Sequence, residues 1–262
     1  QIFVIAKFTN SKTTNMLPAP KLMLGLCCMF LIATAVAQKQ RTVSASMGKV
    51  TLLLKLNRKD RAEYALDYGG RNVVLPSRLG FRLNDSTQLD DDFEVLKIDS
   101  LVQDETWTPV WGEVSRIRNN YRQIAVHMQQ KRSGLLLNVI FRIFEDGIGF
   151  RYEFPVQPKL KYFTVSDELT EFNLTGDHKT FWIPGDYDSN EYLYTTSKLS
   201  EVDAWKFPAL SYGDPKKNIP DQYAVQTPLM MKTAEGLYIN IHEASLVNYS
   251  SMQLHVDREQ HK

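Results

Sequence analysis

Apolar and polar residues alternate one for one in short runs along most of this chain, and that pattern excludes most architectures. A period of two puts every second side chain on one face of a strand, whereas a helix needs a period of 3.6. In KVTLLLKLN, residues 49–57, Val50, Leu52, Leu54 and Leu56 fall on one face. In LLNVIFRIFEDGIGFRYEFP, residues 136–155, Leu137, Val139, Phe141 and Ile143 share a face, and Phe150, Tyr152 and Phe154 return after Glu145-Asp146-Gly147. Asp-Gly readily supplies the positive φ angles of a tight turn, so this segment predicts a β-hairpin. In GLYINIHEA, Leu237, Ile239 and Ile241 oppose Tyr238, Asn240 and His242. No amphipathic pattern persists for three helical turns and no repeat period emerges. The expectation is an all-β fold, a large antiparallel β-sandwich over residues 41–257. Its predicted core includes Leu52, Leu54, Val139, Phe141, Phe150, Tyr152, Ile239 and Ile241.

The segment MLPAPKLMLGLCCMFLIATAVAQ, starting at Met16, has the order of a secretory leader. Lys21 precedes an apolar run from Leu22 to about Ala35, and small residues stand at Ala35 and Ala37. Such a run is shorter than the ~20 residues that span a bilayer, so it predicts a signal peptide over residues 16–37, cleaved after Ala37, rather than a membrane span. Residues 1–15 show no recognisable role and are expected to be a spurious extension, with the whole of 1–37 taking no part in the fold. Both cysteines, Cys27 and Cys28, lie in the leader, and Leu26 before Cys27 does not suit a lipid-attachment site. The exported chain, periplasmic or extracellular, would then rely on its core without disulfides. Residues 38–262 form one domain of about 225 residues, enough for a sizeable core. With 31 Lys and Arg against 30 Asp and Glu, charge gives no reason to expect a nucleic-acid partner.

Two stretches read as irregular. Residues 204–228, AWKFPALSYGDPKKNIPDQYAVQTP, carry four prolines and one glycine, which fits a surface excursion or a strap between sheets. The last residues, SMQLHVDREQHK, alternate Met252, Leu254 and Val256 as a strand does and then end in charges, which reads as a domain truncated before a partner.

The chemistry concentrates in GDHKTFWIPGDYDSNEYLYTTS, residues 176–197. Asp177, Asp186, Asp188, Asn190 and Glu191 lie there among Phe181, Trp182, Tyr187, Tyr192 and Tyr194. Asp186, Asp188 and Asn190 have the spacing that opens an EF-hand loop. The sixth position is Glu191 where glycine is needed, and the twelfth is Ser197 where a bidentate glutamate is needed, so a self-contained EF-hand is excluded. Two readings stay open: Asp and Asn cap turns, or one or two carboxylates join a calcium site completed elsewhere, since Ca²⁺ takes 6–8 oxygens. The rings divide likewise between core packing and a sugar-facing wall. His242-Glu243 lacks the second histidine of a zinc motif. No G-x-S-x-G elbow supports a serine nucleophile.

Four blocks carry a likeness: DETWTPVWGEVSRIRNNYRQIAV, FRIFEDGIGFRYEFP, DHKTFWIPGDYDSNEYLYTTSKLSE and LMMKTAEGLYINIHEASLVNYSSM. In this order they resemble the N-terminal domain of glycoside hydrolase family 97, exported bacterial α-glucosidases and α-galactosidases, over roughly residues 42–256. The resemblance implies a β-sandwich that packs on a (β/α)₈ catalytic barrel absent from this chain. It implies that Glu191 is lent to a calcium ion beside an α-linked oligosaccharide, with Tyr187, Tyr192 and His242 in the sugar-facing wall, and that no catalytic residue lies here. The alternative is a free-standing carbohydrate-binding sandwich without catalysis.

Overall fold

The computed structural model describes the backbone of residues 4–9 and residues 41–83, 87–206 and 218–260 in full. The strands are β1 (Val4–Thr9), β2 (Thr42–Met47), β3 (Val50–Leu56), β4 (Ala62–Tyr68), β5 (Asn72–Arg78), β6 (Phe81–Leu83), β7 (Gln88–Leu89), β8 (Phe93–Trp107) and β9 (Ile117–Gln130). They continue with β10 (Leu136–Phe144), β11 (Gly147–Glu153), β12 (Val165–Glu168), β13 (Lys179–Trp182), β14 (Thr195–Lys198), β15 (Ala224–Gln226), β16 (Leu229–Lys232), β17 (Tyr238–Glu243) and β18 (Gln253–His255). Two 3₁₀ turns, Leu199–Glu201 and Ala204–Lys206, lie between β14 and β15.

A nine-stranded sheet runs β14-β13-β16-β17-β1-β11-β10-β9-β8, and a four-stranded sheet runs β2-β3-β4-β5. Every pairing is antiparallel. Two small sheets, β12-β6-β7 and β15-β18, complete the strand pairing. The two larger sheets face each other across one apolar core, as alternating strands require. All eight core residues expected from the alternation are buried, Phe141 and Ile239 completely. Leu56, at the end of β3, is only half-buried.

The sheets lock together through Tyr64 of β4. Its ring lies 5.9 Å from Phe141 and 5.6 Å from Phe150, and Phe141 stacks on Phe150 at 5.1 Å. A buried tyrosine needs a partner for its hydroxyl, and Tyr64 donates to the Glu171 carbonyl at 2.8 Å. Burial raises the Tyr64 phenol well above its ordinary pKa, so it stays a donor. Phe81 extends the cluster onto Tyr152 at 4.5 Å and Phe154 at 5.1 Å.

Three expectations change. The hairpin turn is Glu145–Asp146, and Gly147 already pairs with Phe144 as the first residue of β11. Neither Asp146 nor Gly147 has positive φ, because a two-residue reversal leaves the glycine in the ladder. The strap after Ala204 is partly ordered pairing: β15 joins β18 and bridges Pro184 through Val225. The first residues do not all stay outside the fold. β1 lies between β11 and β17 and pairs with both, because each of those strands otherwise presents an open row of backbone donors and acceptors. The leader expected at residues 16–37 lies outside the described residues.

Phe141→Ala should cost about 3–5 kcal/mol, a large ring lost from a site with no room to collapse. Tyr64→Phe should cost about 0.5–1.5 kcal/mol by removing the hydrogen bond to the Glu171 carbonyl. Urea unfolding followed by tryptophan fluorescence measures both.

Candidate functional site

The loop of residues 183–194 leaves the end of β13 and returns into β14. Its root is fixed by backbone. Gly185 N donates to the Ala224 carbonyl at 2.8 Å and Gln226 N to the Ile183 carbonyl at 3.2 Å. This zips the loop onto β15 at a separation that only glycine allows: a Cβ at Gly185 would stand 2.4 Å from Ala224 Cβ and 3.0 Å from its backbone carbon. Two amides from outside the loop complete the anchor. Gln253 Nε2 donates to the Asp186 carbonyl at 2.8 Å, and Gln226 Nε2 donates to the Ser189 carbonyl at 2.7 Å.

Within the loop the acidic groups divide into two kinds. Asp186 is buried, at 5% exposure, and its carboxylate is fully used. Oδ1 accepts from the backbone N–H of Asp188 at 2.7 Å and of Ser189 at 3.2 Å, and Oδ2 accepts from the Tyr192 hydroxyl. Burial, together with the hydrogen bond to Asp186, pushes the Tyr192 phenol up to about 12. Asp177 is spent in the same way, accepting from Ser200 N at 2.9 Å and Ser200 Oγ at 2.8 Å and so holding the turn at Leu199–Glu201. Asp188 accepts a long bond from Asn218 Nδ2, 3.4 Å. Turn capping therefore accounts for Asp177 and Asp186.

Glu191 differs. Its backbone N–H donates to Ser189 Oγ at 3.1 Å, the side chain is exposed, and among the described residues its carboxylate has no ion pair or hydrogen-bond partner. Among the described residues no three His, Cys, Asp or Glu side chains are placed to hold a metal ion together. An exposed carboxylate of this kind can donate oxygen to a hard cation.

The aromatic candidates separate as well. Tyr187 is 67% exposed and Tyr194 55%, which leaves ring surface open on the loop that carries Glu191. Tyr192 is half-buried with its hydroxyl committed to Asp186, so it acts as a brace of the loop. Trp182 and Ile183 are buried, and Trp182 Nε1 donates to Ser197 Oγ at 3.0 Å. His242 lies on β17. Phe181, Met230 and Asn240 form one row across β13, β16 and β17, and His242 stands two residues beyond Asn240 on the same face, at the sheet end from which the loop departs. Its Nδ1 is 3.1 Å from the Glu243 carbonyl oxygen. Sequence reasoning missed Gln226, Gln253, Asn218 and Gly185. Only Gly185, in Ile-Pro-Gly-Asp, carries a local signal.

A second polar group lies elsewhere. Glu168 lines a cavity of about 350 Å³ with Ser166, Thr170, Tyr249 and Gln253. Its carboxylate accepts from Thr170 Oγ1 at 2.7 Å and from the Tyr249 hydroxyl at 3.0 Å. Burial raises its pKa, opposed by those two hydrogen bonds. These partners satisfy both oxygens, which marks a structural carboxyl.

The Glycosyl-hydrolase 97 N-terminal family model matches residues 43–262. A retaining alpha-galactosidase of Bacteroides thetaiotaomicron is 25% identical over 246 residues, 89% of this chain and 33% of that protein. Among solved structures, a Glycoside Hydrolase Family 97 enzyme from Pseudoalteromonas sp. strain K8, determined with panose and with acarbose, superposes with a TM-score of 0.68 at 26% identity, over 82% of this chain and 30% of that one. A beta-arabinopyranosidase shares the fold, with a TM-score of 0.57 at 18% identity over 74% of this chain and 33% of that one. The chain spans about a third of the length of these relatives.

Two outcomes are expected here. Gly185→Ala should destabilise the domain by about 1–3 kcal/mol, because the new methyl meets the backbone of a paired strand; thermal unfolding measures it. For Glu168, a folded pKa above the unfolded 4.5 means that its contribution is greatest below 4.5 and is lost as pH rises through the folded value. Urea midpoints from about pH 4 to pH 7 should therefore fall less steeply in Glu168→Gln than in the parent.

Proposed function

This chain belongs to the glycosyl-hydrolase 97 N-terminal family, and we propose that it serves as the accessory sandwich of a calcium-dependent glycosidase acting on α-linked oligosaccharides, with catalysis carried by a barrel that it abuts. The observation that carries this reading is a contrast among neighbouring acidic residues: Asp186 in the loop and Asp177 just before β13 are consumed by turns, while Glu191 is exposed, without a carboxylate partner among the described residues, on a rigidly rooted turn.

In this reading Glu191 is offered across the domain interface as one carboxylate ligand. A bound divalent cation supplies charge that orients sugar hydroxyls and shifts the pKa of nearby acids. The residues of this chain do the rest by position. The Asp186–Tyr192 contact holds the turn that presents Glu191. Tyr187 offers an aromatic face against which the C–H face of a pyranose packs, and His242 contributes a polar group to the neighbouring wall. Because the ligand set spans two domains, ion binding and docking stabilise each other. The leader-like residues 16–37 support an exported, periplasmic or extracellular location.

Calcium titration by calorimetry tests the reading. The present chain should bind Ca²⁺ no tighter than roughly millimolar, since one side chain and water do not supply the 6–8 organised oxygens of a tight site. In the protein that joins this domain to its barrel, Glu191→Gln should leave the fold intact, weaken calcium binding and lower activity in a way that excess calcium partly restores. Equal calcium affinity in parent and variant there would refute the role of Glu191. Tight binding of a maltooligosaccharide by the present chain alone would favour the free-standing carbohydrate-binding module instead.

A further inference from the structure

Three lysines stand side by side on the outer face of the nine-stranded sheet. Lys198 of β14 pairs with Lys179 of β13, Lys179 pairs with Lys232 of β16, and Tyr238 of β17 ends the row. Directly paired residues lie on one face of a sheet, and the sequence neighbours Thr180 and Met231 are fully buried on the other. Like charges directly opposite each other destabilise a sheet. Protection of a sheet edge explains a lysine on β14, the outermost strand, but β13 and β16 are interior strands. Lys179 Nζ lies 5.4 Å from the centre of the Phe181 ring and Lys232 Nζ 4.9 Å from that of Tyr238. A ring attracts an ammonium group but leaves its charge uncancelled.

The row lines a cleft of about 900 Å³ at the start of β13, the end away from the loop of residues 183–194, and Arg71, just before β5, brings a fourth cation to it. The acids of the cleft are used locally. Asp177 is 4.0 Å from Lys198 Nζ, but its oxygens accept from Ser200 N and Ser200 Oγ. Glu235, in the turn from β16 to β17, is held below the usual carboxylate range first by hydrogen bonds to its own backbone N–H and to Thr233, with Arg71 adding to them. Among the described residues Arg71, Lys179 and Lys232 have no ion-pair partner. The volume is in the range of small-ligand sites. We infer that this cleft binds a soluble ligand carrying two or more phosphate or sulfate groups. A tetrahedral oxyanion presents oxygens in several directions, which suits ammonium point charges with three rotatable donors each; a planar carboxylate is better met by guanidinium forks, and the cleft has one arginine against three lysines. Three strands place the row across about 10 Å, too far for one such group to reach. A concave site takes a ligand that enters it in preference to a flat bilayer, and a bound anion relieves the repulsion that the bare row carries. The inference uses neither Glu191 nor calcium and does not rest on the accessory-domain reading.

Calorimetric titration of the full chain at low ionic strength tests the site, with inorganic tripolyphosphate and sucrose octasulfate as probes. At least one probe should bind at a one-to-one ratio. Binding should weaken more than about tenfold when Lys179→Gln, Lys198→Gln and Lys232→Gln are combined, because three charged donors are lost. A control that combines Lys59→Gln, Lys97→Gln and Lys161→Gln removes the same net charge from outside the cleft and should bind as the parent does. Whichever probe binds more tightly tells a phosphorylated ligand from a sulfated one. Binding of neither probe, or equal weakening in the two triple variants, would overturn the site. Capture of the chain on phosphatidylglycerol vesicles without binding of either soluble probe would overturn it too, in favour of a membrane surface. Thermal unfolding provides a second reading. The bound probe should raise the parent's midpoint more than sodium chloride of matched ionic strength does, and that difference should vanish in the cleft triple variant. Lys179→Gln alone breaks the row at its centre and should raise the midpoint of the ligand-free chain. A lower midpoint there would count against the charge argument on which the site rests.

Discussion

The rest of the structure depends on how Tyr64 is accommodated between the two large sheets. A phenol in that position brings ring area that both β10 and β11 use, through Phe141 and Phe150, but it also brings a hydroxyl that must not be left dry. The Glu171 carbonyl meets that need, and Glu171 itself is tied to β5, its carboxylate bonded to Arg78 Nε at 2.9 Å. One hydrogen bond thus fixes the connection after β12 against the four-stranded sheet. Asn173 continues the seam by accepting the Leu75 N–H on its carbonyl at 2.7 Å and donating its own N–H to Ser77 Oγ at 2.8 Å. The chain that emerges from this seam leads directly into β13 and the candidate loop. The loop's origin is therefore set by core packing.

Much of the fold was legible in the sequence, because one physical signal dominates it. Where a strand has one face in the core, period two survives and names the buried residues, as at Leu52, Val139, Phe141 and Ile239. The signal fails where burial is not the organising force. β15 is three residues long and sits in a segment whose prolines read as irregular, whereas β18, equally short, lies in the terminal run whose alternation already reads as a strand. They pair because the loop root and the chain after Met252 need backbone partners there. β1 was illegible for a different reason: a six-residue strand inserted between two distant ones leaves no mark beyond its own alternation, and the leader-like segment that follows it pointed the other way.

The site shows a sharper division. Sequence spacing placed five oxygen-bearing side chains together without saying which of them the backbone would consume. Geometry sorts them: a carboxylate one or two residues ahead of a tight turn is captured by N–H groups of that turn, which is the fate of Asp186, whereas Glu191 follows the turn and is not captured. Tyr192 illustrates the same limit. Its ring was a fair candidate for a sugar-facing wall on composition, yet a buried carboxylate six residues away offers the hydroxyl a stronger partner than solvent does. Gln226 and Gln253 were invisible because an amide that donates to a distant carbonyl has no sequence signature.

These contacts decide how a one-ligand contribution can matter. A single carboxylate adds little to a cation site if it must be ordered on binding, since the entropy of fixing several loop residues opposes the gain. Here that ordering already exists in the isolated domain. The Asp186–Tyr192 contact closes the turn, the Gln253 and Gln226 amides hold its two carbonyls, and the backbone contact between Gly185 and Ala224 leaves its root no room to slide. The remaining freedom is that of the Glu191 side chain itself. In the proposed accessory role, a donor prepared in this way would favour the docked arrangement through position, and its effect on ion binding would appear only when a second surface brought the other oxygens within reach.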